Sequence, residues 1–262
     1  MNDDAKKWLW WGIPVIVAAG LVTALYYGRK HKEQPVVEQV QNEPVAETPR
    51  QPDTNHPIEP DSTDPAQLPP LAESDKPIHD SLSGVFGRSL DQFLVPKDVV
   101  RHVVATIDNL PRKKASVQMW PVRPTPGSPA VDRQGETITL SSDNFERYAP
   151  LMNLVRNTDT TQVVAIYKHY YPLFQQAYTE LGYPDAYFNN RLVEVIDHLL
   201  ATPEVTGPIK LTQPGVFYEY ADPSLEQLSA GQKLLIRMGS ENAAALKLKL
   251  RELRREVAKQ NR

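Results

Sequence analysis

The stretch that decides the fold is residues 183–200, Y-P-D-A-Y-F-N-N-R-L-V-E-V-I-D-H-L-L. Its apolar side chains include Leu192, Val195, Ile196 and Leu199, a spacing that places them on one face of an α-helix. Pro184 stands near the start, where a missing backbone N–H costs a helix nothing. We therefore predict an amphipathic helix that buries one face against other helices.

Similar spacing occurs along most of the chain after residue 73. Further helices are predicted over residues 74–86, 96–108, 142–155, 158–181, 223–238 and 241–259. Pro172 should kink the helix at 158–181, because a proline inside a helix removes a backbone hydrogen bond. The last helix has an apolar stripe and a polar face that includes Lys247 and Lys249.

Short strands complete the predicted domain. β-Branched and apolar residues predict strands at 117–120, 136–140, 209–211 and 216–220. The first two are expected to form a short hairpin or a pair of extended arms. The fold class is therefore mainly α, a single helical globular domain over residues 73–262 with a few short strands.

A different pattern opens the chain. Residues 8–27, W-L-W-W-G-I-P-V-I-V-A-A-G-L-V-T-A-L-Y-Y, include no charged side chain. As a helix they would span about 30 Å, the thickness of the hydrocarbon core of a bilayer. A cleaved signal peptide would have a shorter apolar run. Aromatic rings, which favour the headgroup level, stand at both ends: Trp8, Trp10, Trp11, Tyr26 and Tyr27. We predict that residues 1–32 are an N-terminal membrane anchor, a transmembrane helix in contact with the lipid bilayer and followed by a basic cluster.

Residues 33–72 differ from both flanking regions. Prolines recur every few positions, and the acidic side chains are opposed by Arg50 alone. A segment of this composition buries too little apolar surface to offset the entropy lost on ordering. It is therefore predicted to be a disordered tether, rich in proline and glutamate, that holds the domain away from the bilayer.

Composition excludes several classes of function. The chain has no cysteine, which rules out disulfides, cysteine-ligated zinc and thiol catalysis. Its formal net charge is -3, so no overall basic field favours nucleic acid. We expect no nucleic-acid partner and no cofactor.

One group of side chains has the spacing of metal ligands. Glu194, Asp197 and His198 would lie on one face of the helix at 183–200, opposite its apolar stripe. Such a trio could serve a metal-assisted hydrolase. The alternative is a solvated polar face, because a metal site usually takes ligands from a second segment and none is identifiable here. No catalytic residue is assigned.

Aromatic residues are concentrated between positions 167 and 188. Tyr167, Tyr170 and Tyr171 lie in this group, and Arg191 follows it. Tyrosine and arginine are enriched at binding hot spots, so these four residues are the candidate binding site. The alternative is that the rings belong to the core, with their hydroxyls at its rim.

Three motifs resemble a known family. They are L-P-P-L-A-E-S-D from Leu68 to Asp75, A-T-I-D-N-L-P-R from Ala105 to Arg112, and Y-A-D-P-S-L-E-Q-L-S-A-G-Q-K-L-L-I-R-M-G-S-E-N from Tyr220 to Asn242. With the apolar span and the tether, they resemble the bacterial family numbered 3014 among the domains of unknown function. The resemblance would cover about residues 65–260 and implies a membrane-anchored envelope protein with a helical domain. It implies no activity, cofactor or catalytic residue.

These observations favour a non-enzymatic role. We expect a single-pass protein of the bacterial inner membrane whose helical domain binds a protein or cell-wall partner. The alternative is the metal-assisted hydrolase centred on Glu194, Asp197 and His198.

The predicted topology places the N-terminus inside and residues 33–262 in the periplasm. Lysines before the apolar span and basic residues after it nearly balance, so the charge rule decides little. A short N-terminal tail before a span is the layout of a signal-anchor, and a cysteine-free chain suits the periplasm. Alkaline phosphatase fused after Arg262 should be active, and a cytoplasmic fluorescent reporter at the same site should be dark. The reverse pattern would contradict the predicted topology.

Overall fold

The computed structural model describes residues 56–58 and 68–258, and this part of the chain is mainly helical, as the sequence predicts. The helices are α1 (Asp75–Phe86), α2 (Leu90–Phe93), α3 (Val99–Asn109), α4 (Asp143–Glu146), α5 (Ala149–Arg156), α6 (Thr160–His169), α7 (Tyr171–Glu180), α8 (Phe188–Leu200), α9 (Pro223–Glu226), α10 (Ala230–Arg237) and α11 (Ser240–Val257). Short 3-10 turns lie at Leu71–Glu73, Gly87–Ser89 and Val117–Met119.

Four short strands form one antiparallel sheet. They are β1 (Val131–Gln134), β2 (Thr137–Leu140), β3 (Lys210–Thr212) and β4 (Glu219–Tyr220), and their order in the sheet follows the sequence. In this register Thr139 pairs with Lys210, and Leu211 pairs with Tyr220. The strands predicted at 136–140, 209–211 and 216–220 correspond to β2, β3 and β4.

The strand predicted at residues 117–120 is wrong. Val117–Met119 forms a 3-10 turn with exposed side chains. The hairpin partner of β2 is instead β1, across a two-residue turn in which Gly135 takes φ +61°. A positive φ at this position matches the twist of a two-residue hairpin, and glycine adopts it without steric cost.

Three predicted helices are each divided in two. The segment 158–181 is divided at Tyr170, and Pro172 lies in the first turn of α7 rather than at a kink. Pro150 likewise lies in the first turn of α5. A proline in the first turn loses no helical hydrogen bond, so each proline begins a new helix instead of bending an old one.

The third division falls at Ser229. The Ser229 hydroxyl accepts a hydrogen bond from the backbone N–H of Gln232, and the Gln232 side chain accepts one from the backbone N–H of Ser229. This capping box satisfies two backbone donors that would otherwise lack partners at a helix start. It therefore separates α10 from α9 within the predicted helix at 223–238.

Helix α8 lies at the centre of the domain. Its buried Leu192, Val193 and Ile196 belong to a first apolar cluster, and Val195 and Leu199 belong to a second. The first cluster joins residues from both ends of the described chain, including Leu71, Ile78 and Val257. A third cluster packs Ile236 of α10 against the sheet residues Leu140, Leu211 and Tyr220. The helix predicted from residues 183–200 thus packs against two clusters through adjacent parts of one broad apolar face, and it begins at Phe188.

The polar face predicted for the last helix is only partly exposed. Lys247 is buried, and its ammonium group donates to the carbonyl of Thr202 over 2.6 Å. Lys249 donates to the carbonyl of Thr158 over 2.9 Å. Both lysines donate hydrogen bonds to carbonyls near the ends of other helices. Sequence periodicity does not reveal such contacts. Leu250 and Leu253 are partly buried against the first cluster, as their stripe predicts.

Parts of the predicted tether contact the domain. Leu71 is buried in the first cluster, and Leu68 packs against it. Ile58 is also buried there, at 7 % exposure. The described residues of the range 33–72 are therefore ordered against the helices, contrary to the predicted disorder. The other residues of that range lie outside the described residues.

The predicted membrane anchor at residues 8–27 also lies outside the described residues. Within residues 56–58 and 68–258, no helix combines the length and the hydropathy needed to cross a bilayer.

Two glycines give a matched test of the packing around α11. Gly239 has φ +85°, and a Cβ there would lie 2.6 Å from Cγ of Phe145. Gly239→Ala should lower the free energy of unfolding by at least about 2 kcal/mol, because it adds both backbone strain and overpacking. Urea titration of the full chain would measure this.

Gly84→Ala is the control. Gly84 lies within α1, and nothing is within 4 Å of a Cβ built there. Alanine should stabilise this helix by about 0.5–1 kcal/mol. Equal effects of the two substitutions would contradict the close packing of Gly239 on Phe145.

Candidate functional site

A cleft of about 390 Å³ opens where the end of α3 meets α7, α8 and the loop between them. The residues that line it combine aromatic rings, carboxylates and one guanidinium: Asp108, Tyr178, Tyr183, Asp185, Ala186, Tyr187, Asn190, Arg191 and Glu194. The volume is within the range of small-ligand and peptide side-chain pockets. We treat this cleft as the candidate functional site.

Asp108 forms the charged base of the cleft. It is 2 % exposed and lies in the last turn of α3. Its carboxylate accepts hydrogen bonds from Arg112 Nη2 at 2.5 Å, from Arg191 Nε at 3.2 Å and from the Tyr183 hydroxyl at 3.2 Å. A buried carboxylate is tolerated only when such donors replace the water it has lost. Asp108 thereby ties α3, α8 and the loop between α7 and α8 together.

Arg191 forms the opposite wall. Besides its bond to the Asp108 carboxylate, its guanidinium donates to the Asp108 backbone carbonyl at 3.0 Å and to Glu194 at 2.9 Å. Burial alone would lower the pKa of the Arg191 guanidinium. The hydrogen bond and charge of Glu194 and the charge of Asp108 outweigh this effect, so the pKa is raised overall and the guanidinium stays charged. The cation also faces the carboxyl end of α3, which a helix dipole favours. Its orientation in the cleft is therefore fixed before any ligand arrives.

Aromatic rings and exposed carboxylates complete the cleft. The rings of Tyr178 and Tyr183 stack with their centroids 4.6 Å apart. Asp185 and Glu194 are exposed at the rim. The cleft therefore presents flat aromatic faces, fixed hydrogen-bond donors and carboxylates at its edge.

Three of the four predicted binding residues are not in the cleft. Tyr170 and Tyr171 are buried in the first cluster, and the ring of Tyr167 packs edge-on against Tyr171 at 5.6 Å. Burial raises the pKa of Tyr167 and of Tyr171 far above the usual value, so both phenols remain neutral. The structure therefore places these three rings in or against the first apolar cluster, as the alternative predicts, rather than in the cleft. Arg191 does line the cleft.

The predicted metal trio is divided among separate partners. Glu194 accepts from Arg191, and Asp197 accepts from Arg254 Nη2 at 2.8 Å. His198 Nε2 lies 2.9 Å from the Ser229 hydroxyl. Among the residues that the structure describes, no three His, Asp or Glu side chains lie close enough together to hold a metal ion. Each member of the trio instead joins α8 to another segment or to its own helix.

Several exposed or buried features escaped sequence reasoning. Asp108 lies within the motif Ala105–Arg112, but its burial is visible only once α8 is in place. Asn189 is fully buried, at 0 % exposure, inside a helix whose sequence suggested no polar core residue. Val216 and Phe217, in the loop between β3 and β4, are 83 % and 81 % exposed. The signal that identifies Asp108 is its position between Arg112 and Arg191, and only the contacts of the folded chain show it.

Comparison with protein families decides the classification. A family described as "Protein of unknown function (DUF3014)" matches residues 99–254. The chain belongs to this family. The match confirms the resemblance seen in the sequence motifs, and it runs from the first residue of α3 into α11. The sheet and the residues that line the cleft therefore both lie within the DUF3014 domain. No curated protein and no solved structure matches the chain.

The charge network of the cleft makes a stability prediction. In Asp108→Asn, one carboxylate oxygen becomes an amide NH2 group, whose hydrogens face the donors of the neighbouring side chains. Arg191 also loses one of its two counter-charges and keeps only Glu194. The free energy of unfolding should fall by about 3 kcal/mol. This is the lower end of the range for removing one partner of a buried ion pair, and we choose it because the Arg112 side chain is half exposed. Chemical denaturation of the purified chain would measure it.

Asp185→Asn provides the matched control in the same cleft. Asp185 is exposed and has no hydrogen bond or ion pair with the described residues. Its substitution should change stability by less than about 0.5 kcal/mol. A loss of stability no larger in Asp108→Asn than in Asp185→Asn would show that the network does not hold the domain together.

Proposed function

We propose that this chain is a single-pass protein of the bacterial inner membrane whose DUF3014 domain is a binding module. In this proposal residues 8–27 anchor the chain in the bilayer, and the domain lies in the periplasm. The cleft between α3, α7 and α8 contacts a protein or cell-wall partner. The support for the anchor is the uncharged apolar span with its aromatic ends.

The observation that carries the binding role is the fixed charge network in the cleft. Asp108 accepts direct hydrogen bonds from both Arg191 and Tyr183 at the bottom of an open concavity. A ligand that binds there meets side chains whose rotamers are already set, so little ordering entropy opposes binding. Tyrosine and arginine are also the residue types that dominate binding hot spots.

The rim suggests the charge of the partner. Asp185 and Glu194 are exposed, and only Glu194 has a described counter-charge, in Arg191. Two carboxylates at the edge of an aromatic cleft favour a ligand with a cationic or amine group. Lysine and arginine side chains of a protein and the free amines of a cell-wall peptide both have this chemistry.

The hydrolase alternative lacks a supporting observation. Glu194, Asp197 and His198 are engaged by Arg191, Arg254 and Ser229, respectively, and they do not converge on a common point. Catalysis by a metal would need these side chains to converge on one ion. We therefore do not put it forward as a second function.

Site-specific photo-crosslinking in intact membranes would test the binding role. A photo-reactive amino acid at Glu194 or Asp185 of the full chain should give a discrete crosslinked product after illumination. The same amino acid at Asp143, an exposed acidic position in α4 outside the cleft lining, should give none. Adding Arg191→Ala to the Asp185 probe should weaken the product at least about threefold, if the fixed guanidinium orients the partner. Equal products from the cleft and control positions would refute a partner-binding cleft.

A further inference from the structure

A short piece of the chain is held against the start of α8, beside the cleft. The backbone N–H of His56 donates to Asn190 Oδ1 at 3.0 Å, and the His56 carbonyl accepts from Asn189 Nδ2 at 2.9 Å. The backbone N–H of Ile58 donates to the Tyr187 hydroxyl at 3.0 Å. Three side chains at the start of α8 therefore bind main-chain atoms of the segment 56–58, which we call the H-P-I segment.

One side chain of the segment is buried. Ile58 is 7 % exposed and joins the first apolar cluster, whereas Pro57 is exposed. A proline after His56 confines that residue to an extended backbone, which lowers the entropy lost when the segment docks. The contacts thus specify backbone groups of His56 and Ile58 and an aliphatic side chain directly after a proline.

The receiving groove is built independently of the segment. Asn189 is fully buried, accepts from the Tyr167 hydroxyl at 3.0 Å and donates to the Val257 carbonyl at 2.8 Å. Its amide is therefore fixed in position by α6 and α11 as well as by His56. Side chains that are held rigid and aimed at backbone groups are the usual means by which domains recognise extended peptides.

The groove is continuous with the cleft. Tyr187 and Asn190 both line the cleft and bind the H-P-I segment. A ligand that enters the cleft thus lies against residues that also bind an extended backbone. The interface of the H-P-I segment itself is small, one aliphatic side chain and a few hydrogen bonds, so it should open more readily than the core.

We propose that this groove is a peptide-binding site, that the H-P-I segment occupies it in cis, and that a partner protein binds it in trans through an extended proline–aliphatic peptide. The inference rests on the proposed binding function and names its class of ligand. Cis occupancy would regulate access, because a segment joined to Leu68 by a short linker competes at a high effective concentration.

The test uses the full chain and a fluorescent peptide of residues 52–62, P-D-T-N-H-P-I-E-P-D-S. In the variant Ile58→Asp the cis segment cannot bury its side chain, so the groove should be free. Fluorescence anisotropy should show the peptide binding to this variant at least about tenfold more tightly than to the wild type. A control peptide with aspartate in place of its isoleucine should bind neither chain.

A second substitution connects the binding to the groove. Adding Asn190→Ala to the Ile58→Asp chain should weaken peptide binding at least about fivefold, because one backbone contact is lost. Thermal unfolding of each variant would verify that it folds. Absence of peptide binding to a folded Ile58→Asp chain would overturn the proposal, while a crosslink from the cleft would still support the broader binding role.

Hydrogen exchange gives a readout that needs no substitution. Excess peptide added to the wild-type chain should displace the cis segment and accelerate exchange at the His56 and Ile58 amides. Unchanged exchange at saturating peptide would count against a shared groove. Dimerisation of the wild type that Ile58→Asp abolishes would identify a second copy as the occupant and would overturn the assignment to a partner protein.

Discussion

The burial of helix α8 against two apolar clusters is the constraint on which the rest of the domain depends. Leu192 and Ile196 belong to one cluster and Val195 and Leu199 to another, so the broad apolar face of a single helix must be covered by more than one neighbouring element. An isolated helix of this length is marginal in water, and its stability comes from such packing. Helices α3, α7 and α11 are therefore positioned by what α8 requires, and the sheet adds a separate cluster around Ile236.

The cleft follows from the way α8 begins. Its first turns carry polar residues that face the end of α3 and the loop after α7, where apolar packing stops. Asp108 and Arg191 meet there with little water, so each must satisfy the other through direct hydrogen bonds. A polar network of this kind contributes less to net stability than to a single defined geometry. The result is a rigid concavity with aromatic walls. A binding site needs its side chains held in the geometry that the ligand requires, and this network provides that rigidity.

Sequence reasoning succeeded where the signal was local. The predicted helix start near residue 158 and helix end at residue 86 lie close to those of α6 and α1. Asp159 caps the first helix and Gly87 follows the second, and each signal acts within one turn of its own helix. Sequence reasoning failed where contacts between distant parts of the chain determine whether a side chain is buried. Whether Tyr170 faces solvent depends on α1, whose Ser81 hydroxyl lies 3.1 Å from the phenol. Lysine side chains usually face solvent. The Lys247 ammonium group is nevertheless buried, and its hydrogen-bond partner is a carbonyl at the end of a helix over 40 residues earlier in the chain. Asp108 and Arg191 are 83 residues apart in the chain, so periodicity could not reveal the cleft.

The first apolar cluster has a consequence for how the chain is made. It joins Leu71 and Ile78 to Val257, so the two ends of the domain complete the same core. A growing polypeptide cannot close that core until α11 has been synthesised, and contacts so distant in sequence form slowly. Early helices must therefore wait with their apolar faces uncovered, a state in which aggregation competes with folding. The first apolar cluster can therefore close only after the last helix has been made.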